Sequence, residues 1–169
     1  MENYIKQQAI VDIDTSPNWE ILSTGICLLL NKNVVLLLNL NTDNLEFDGY
    51  TVLRGWDFEQ YRAWDESELK TVKSNNSSEL ISNINLDHFS NFQTTLENLM
   101  GELVAIFLYG DTETYYVGKV VDVSNKELRL LMIDEDSNWL DFETLNLKEV
   151  SSIGFGTKYE KGLLENLNK

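Results

Sequence analysis

Basic residues, cysteine, histidine and proline are the scarce components of this 169-residue chain. Thirteen Lys and Arg stand against 28 Asp and Glu, for a formal charge of -15 at pH 7. A phosphate backbone has to be met by cations, so a field of this sign argues against nucleic acid and against anionic membrane surfaces. It favours a basic protein partner, which it would also steer in at low salt. The lone cysteine, Cys27, cannot form an internal disulfide. It stands in the apolar run Ile26-Cys27-Leu28-Leu29-Leu30 and is expected to be a buried, unreactive core residue. One cysteine and one histidine cannot furnish a zinc set, so neither a metal site nor a cofactor is expected. His88 lies between Asp87 and Phe89. Neighbours along a helix do not face each other, so this trio makes no catalytic triad.

Long apolar runs are also missing. Residues 28–30 and 34–38 are separated by Asn31-Lys32-Asn33 and are too short to cross a bilayer. The first eight residues lack the basic patch and apolar stretch of a secretory signal, which leads us to expect a cytoplasmic protein. What is present is ordinary globular material: 43% hydrophobic residues in a length suited to one domain or two very small ones.

Residues 21–30 and 33–40 read as two strands joined by a tight turn, residues 43–48 as a further turn, and residues 49–53 as a third strand. Residues 56–68 are aromatic and acidic and read either as a short helix or as another strand. The polar stretch 70–85, centred on Lys73-Ser74-Asn75-Asn76-Ser77-Ser78, is the best linker. The expected division is thus a β unit over 1–70, a linker over 71–85, and a helix plus second β unit over 86–169. In that second unit Asp87 is expected to cap a helix carrying Phe89, Phe92, Leu96, Leu99 and Met100, ended by Gly101. Strands follow at 102–109, 115–123, 127–133, 142–147 and 151–155, and the apolar spacing of residues 158–167 predicts a terminal helix.

Sliding the sequence by 93 positions lays Gly25 on Gly118 and keeps apolar residues in step, with Leu28 on Val121, Leu37 on Leu130 and Val52 on Leu145. The match runs without a gap to about residue 53. The expected fold is therefore mainly β (α+β): two tandem, duplicated, highly bent antiparallel sheets or small barrels, with a helix between them and a short C-terminal helix.

The segments Tyr116-Val117-Gly118-Lys119-Val120-Val121, Leu128-Arg129-Leu130, Ile133-Asp134-Glu135-Asp136 with Trp139, and the run from Ile153-Gly154-Phe155-Gly156 to Glu160 give the second half a resemblance. It resembles small uncharacterised bacterial proteins with Sm-like small barrels, and Phe47-Asp48-Gly49-Tyr50-Thr51-Val52-Leu53-Arg54 looks like the corresponding strand of the first half. The resemblance implies a fold and carries over no catalytic residue. By size and charge alone, the chain also looks like the immunity partners of secreted toxins.

Other motifs lead nowhere. Asp134-Glu135-Asp136-Ser137-Asn138 has the acids of a calcium loop, but Trp139 and Leu145 occupy the positions that need glycine and glutamate. Gly154-Phe155-Gly156 lacks the lysine and hydroxyl of a phosphate cradle and reads as a turn into the last helix. No carboxylate pair is marked out by an apolar pocket. There remains the segment containing Trp56, Asp57, Phe58, Glu59, Tyr61, Trp64, Asp65, Glu66 and Glu68. Its aromatics belong either to the core, with the acids in water, or to a protein interface in which they anchor and the acids meet Lys or Arg. Asp134, Glu135 and Asp136 form a second candidate patch. The expected function is non-catalytic: an acidic protein-binding protein, such as an immunity protein or inhibitor neutralising a basic toxin, or alternatively an Sm-like scaffold or adaptor.

Overall fold

The computed structural model describes residues 8–15, 22–55, 58–72 and 76–167. The first half contains β1 (Ile10–Thr15), β2 (Leu22–Leu30), β3 (Val34–Asn41), β4 (Glu46–Arg54) and β5 (Phe58–Ala63). Short helices follow: α1 (Glu66–Leu69), α2 (Ser77–Asn83), a 3-10 turn (Leu86–His88) and α3 (Phe92–Asn98). The second half contains β6 (Leu103–Leu108), β7 (Asp111–Val123), β8 (Glu127–Ile133), β9 (Trp139–Asn146), β10 (Val150–Phe155) and α4 (Lys158–Leu167).

The β-rich α+β class is as expected, but two separate sheets are not what forms. The strands make one ten-stranded sheet in the order β5-β1-β2-β3-β4-β10-β6-β7-β8-β9. The halves are joined because β4 pairs antiparallel with β10, with Val52 opposite Ile153 and Tyr50 opposite Phe155. A strand edge left over by each half is thereby satisfied by the other.

Within this sheet both halves run in the same order, the fifth strand beside the first and the others following. The register agrees as well. Gly25 stands between Val11 and Asn39, and Gly118, 93 positions on, between Val104 and Met132. Each glycine has the same cause: a Cβ would lie 2.1 Å from the Leu38 carbonyl oxygen at Gly25 and 2.8 Å from that of Leu131 at Gly118. In the fourth and fifth strands the offset drops to 92, so the gapless alignment of Val52 with Leu145 needs correcting. Val35 pairs with Leu53, and its counterpart Leu128 pairs with Leu145. The step arises in the intervening turn, where Leu40 reaches Phe47 but Ile133 reaches Trp139, one residue sooner.

The turns repeat too, by similar chemistry. After the second strand, Asn31 Oδ1 accepts from the N–H groups of Asn33 and Val34, and Ser124 Oγ accepts from those of Lys126 and Glu127. After the third, Asn41 Oδ1 accepts from the Asp43 and Asn44 N–H groups, and the Asp134 carboxylate from that of Asn138. Each of these turns closes on a left-handed residue, Leu45 (φ 59°) and Ser137 (φ 65°).

The main core gathers one sheet face of both halves around Phe89, Phe92, Leu96 and Leu99, while Val11, Ile13, Cys27, Val35, Leu37 and Leu53 form a second cluster in the first half. The helix expected from Asp87 begins later. Asn91 caps α3 by accepting from the Thr94 N–H, and Asn85 caps the separate 3-10 turn. The stretch expected as a linker is not bare: it contains α2, and the Tyr50 hydroxyl donates to the Leu80 carbonyl at 2.7 Å. Lys73, Ser74 and Asn75 lie outside the described residues. The terminal helix occupies the expected residues, and a strand the sequence reading missed, β1, fills the position beside β5.

Candidate functional site

The two predicted patches fall at opposite ends of the sheet. Trp56 and Asp57 lie outside the described residues, and only the backbone of Glu59 is placed, in β5. Tyr61 is 41% exposed, whereas Trp64 is half-buried with its indole N–H donating to Asp12 at 2.9 Å. Asp12 on β1 organises this end. It also accepts from the Thr24 hydroxyl at 2.7 Å and pairs with Arg62 at 2.6 Å, and Arg62 meets Glu68 at 2.7 Å. Burial raises the Asp12 pKa, but the hydrogen bonds from Trp64, Thr24 and Arg62 outweigh it and hold the carboxyl below its ordinary value.

Asp65 and Glu66 are exposed as expected, but Asp65 has a local role. Its side chain accepts from the N–H groups of Ser67 and Glu68 while Glu68 accepts from the Asp65 N–H, a capping box that starts α1. The Ser67 hydroxyl and those two N–H groups lower its pKa. The same device starts α4, 92 positions on: Thr157 N–H and hydroxyl donate to Glu160, whose own N–H donates back. Residues 58–68 thus comprise a strand and a helical turn, with Tyr61 on the surface and Trp64 half-buried.

At the other end, Asp134 spends its carboxylate on the Asn138 N–H and side-chain amide, which lower its pKa, while Glu135 and Asp136 are exposed. Among the described residues no group of three or more His, Cys, Asp or Glu side chains is placed to hold a metal ion. The strand beyond this turn, expected over residues 142–147, begins three residues earlier, at Trp139. Trp139 (39%), Leu140 (50%) and Phe142 (53%) of β9 are exposed large apolar side chains, interleaved with exposed Asp141 and Glu143. The Arg129 guanidinium lies 4.4 Å from the Phe142 ring centroid. The only signal for them was the mixture of aromatic and acidic residues, the same composition that singled out 56–68.

The remaining chemical groups are occupied structurally. Cys27 is buried, and desolvation pushes its thiol up to about 12. His88 is exposed and its ring meets the Asn85 side-chain amide at 3.0 Å. Gly156 turns the chain (φ 75°) from β10 toward the Thr157 cap, as expected of Gly154-Phe155-Gly156. No helix among the described residues is long and apolar enough to cross a membrane. No protein-family model matches the chain, and comparison with curated proteins finds no match.

Proposed function

We propose that this is a non-catalytic acidic binding protein whose partner is a basic protein, and that the partner is met at the carboxylate-rich ends of the sheet. The observation that carries this reading is β9, where exposed apolar and aromatic side chains alternate with carboxylates beside the acidic turn 134–136. Anchors of this kind supply buried area, and neighbouring acids select Lys and Arg. Inhibition of a basic toxin, for instance a nuclease whose nucleic-acid groove must be positive, is the specific form of the proposal; the net charge of -15 supports it.

A second reading is a scaffold or adaptor built of two tandem Sm-like units. It is favoured by the shared strand order and register of the two halves. Affinity capture from the native host identifies the partner, and association kinetics at two ionic strengths then separate the readings. For a steered basic partner, Asp65→Lys with Glu66→Lys, or Glu135→Lys with Asp136→Lys, slows association and weakens its salt dependence, according to which end is used. Association indifferent to salt and to both reversals sinks the electrostatic reading.

A further inference from the structure

The sheet face that carries Tyr50 is covered in the first half, and the matching face of the second half is covered only in part. Residues opposed across an antiparallel pair share a face, so Leu38, Leu40, Tyr50 and Phe47 lie together. All four are buried in the main core, under a cover the chain itself supplies. Leu80, Ile81 and Ile84, in and just after α2, pack against that core, the Tyr50 hydroxyl donates to the Leu80 carbonyl, and Phe89 stacks 5.8 Å from Phe155. What lies over Tyr50 is a helix.

In the second half the matching residues are Leu131, Ile133, Phe142 and Trp139, opposed in the same way. Among the described residues α4 covers one side of them. Its Leu163 packs with Leu103, Ala105, Val117 and Ile133, yet beyond Ile133 the Trp139 and Phe142 side chains are exposed and Leu131 is only half-buried. A strip over β8 and β9, beside α4, is left facing water. We propose that this strip seats an amphipathic helix of a basic partner, laid as α2 is laid in the first half.

Apolar residues recurring every three or four positions along such a helix meet Leu131, Phe142 and Trp139 and take neighbouring apolar side chains out of water. The charges then select among helices. Glu135 and Asp136 are exposed in the turn at one end of the strip. Burial raises the Tyr159 pKa most, followed by Tyr115, Glu135, Glu160 and Asp134, so the turn carboxylates act within reach of α4 and of the strip beside it. Lys119, opposite Leu131, and Arg129, over the Phe142 ring, border the strip away from that turn. A helix with Lys or Arg grouped at the end near the turn, and none beside Arg129, suits both borders. That the occupant is basic rests on the function proposed above, whereas its being a helix rests on the cover found in the first half.

The test titrates labelled peptides of leucine, glutamine and lysine with the full chain and reads fluorescence anisotropy at low and high ionic strength. One peptide has leucines at helical spacing and lysines at one end; two controls of the same composition have alternating leucines or a scrambled order. The helical form is expected to bind about 10-fold or more tighter than either control. Phe142→Glu should weaken that binding about 10-fold or more although it adds a negative charge, and Trp139→Ser should weaken it with no change of charge; the unfolding midpoint of each variant shows that it folds. Equal binding of the three peptides, preference for the alternating one, or tighter binding to Phe142→Glu overturns the helix seat and leaves a basic partner standing. Binding of the helical peptide that is indifferent to salt and to Glu135→Lys with Asp136→Lys preserves the seat and removes the basic partner.

Discussion

β4 and β9 hold the same place in two halves of like order, yet one is the seam of the molecule and the other its edge. Tyr50 in β4 is 7% exposed, stacked 5.1 Å from Phe155 and anchored to the Leu80 carbonyl, while its counterpart Phe142 is 53% exposed. Phe47 is buried and its counterpart Trp139 is not. Arg54 is buried, donates to the carbonyls of Val150 and Leu147 and lies over the Phe92 ring; β9 has Asn146 at that place. Gly49 takes φ 67° and brings the chain so close that a Cβ would lie 2.7 Å from the Phe155 carbonyl oxygen, where β9 has Asp141. A strand's position in the repeat thus does not settle its energetics. What covers it does.

The sharpest way to break this comparison is to truncate the paired aromatics. Tyr50→Ala should cost about 3–5 kcal/mol in urea unfolding, by lost burial and a cavity at the seam. Phe142→Ala should cost about 0.5–1 kcal/mol, mainly its contact with Arg129. Equal costs would mean that β9 is covered in the monomer.

Backbone crowding gives the next effect. Gly49→Ala forces a side chain into a left-handed conformation against the backbone of Phe155 and Thr157, and should lower stability by about 2 kcal/mol. Asp141→Ala should change it by less than about 0.5 kcal/mol. The two helix caps provide a smaller contrast, measurable in the same unfolding series. Thr157→Ala, which removes the hydroxyl donor to the buried Glu160 and leaves it only the backbone N–H, should cost about 1.5 kcal/mol, against about 0.5 kcal/mol for Asp65→Ala at the exposed turn.

The finest difference lies between the first and fifth strands of each half. Asp12 pairs with Arg62 across β1 and β5, whereas the matching positions in β6 and β10 are Ala105 and Gly154. The Asp12 pKa is depressed on folding, so its contribution is complete above the unfolded value of 3.8 and is lost as pH falls through the folded value. Acid should therefore weaken the β1–β5 pairing. Asp12→Asn should be less stable than the natural chain at neutral pH, with the gap closing below about pH 4 as protonation costs the natural chain the same interactions. A gap independent of pH would show that Asp12 acts through packing alone.

Much of the fold was legible because it rests on local signals. The Asn31 turn, the alternation of residues 127–133 and the apolar spacing of the last helix each encode their element within a few residues. Gly25 and Gly118 were legible as a pair because only glycine tolerates the approach of the neighbouring strand. β1 was missed because its apolar residues alternate with Asp12 and Asp14 in so short a run. The start of α3 was misplaced because Asp87 and Asn91 are both competent caps, and only packing of Phe89 and Phe92 into the core chose between them. Of the site, the sequence marked Asp65, Glu66 and Asp134 to Asp136, but not that Asp65 and Asp134 are engaged locally, nor that β9 would be an edge.

By itself the sequence determined the charge, the β-rich class and the turns, since each depends on residue type or on near neighbours along the chain. Tertiary structure decided that the halves share one sheet, that β4 is buried where β9 is open, and that the two acidic patches lie at opposite ends. Strand pairing across a hundred residues is set by which edges can satisfy each other's backbone groups and bury side chains together, and a linear pattern does not record which edges meet.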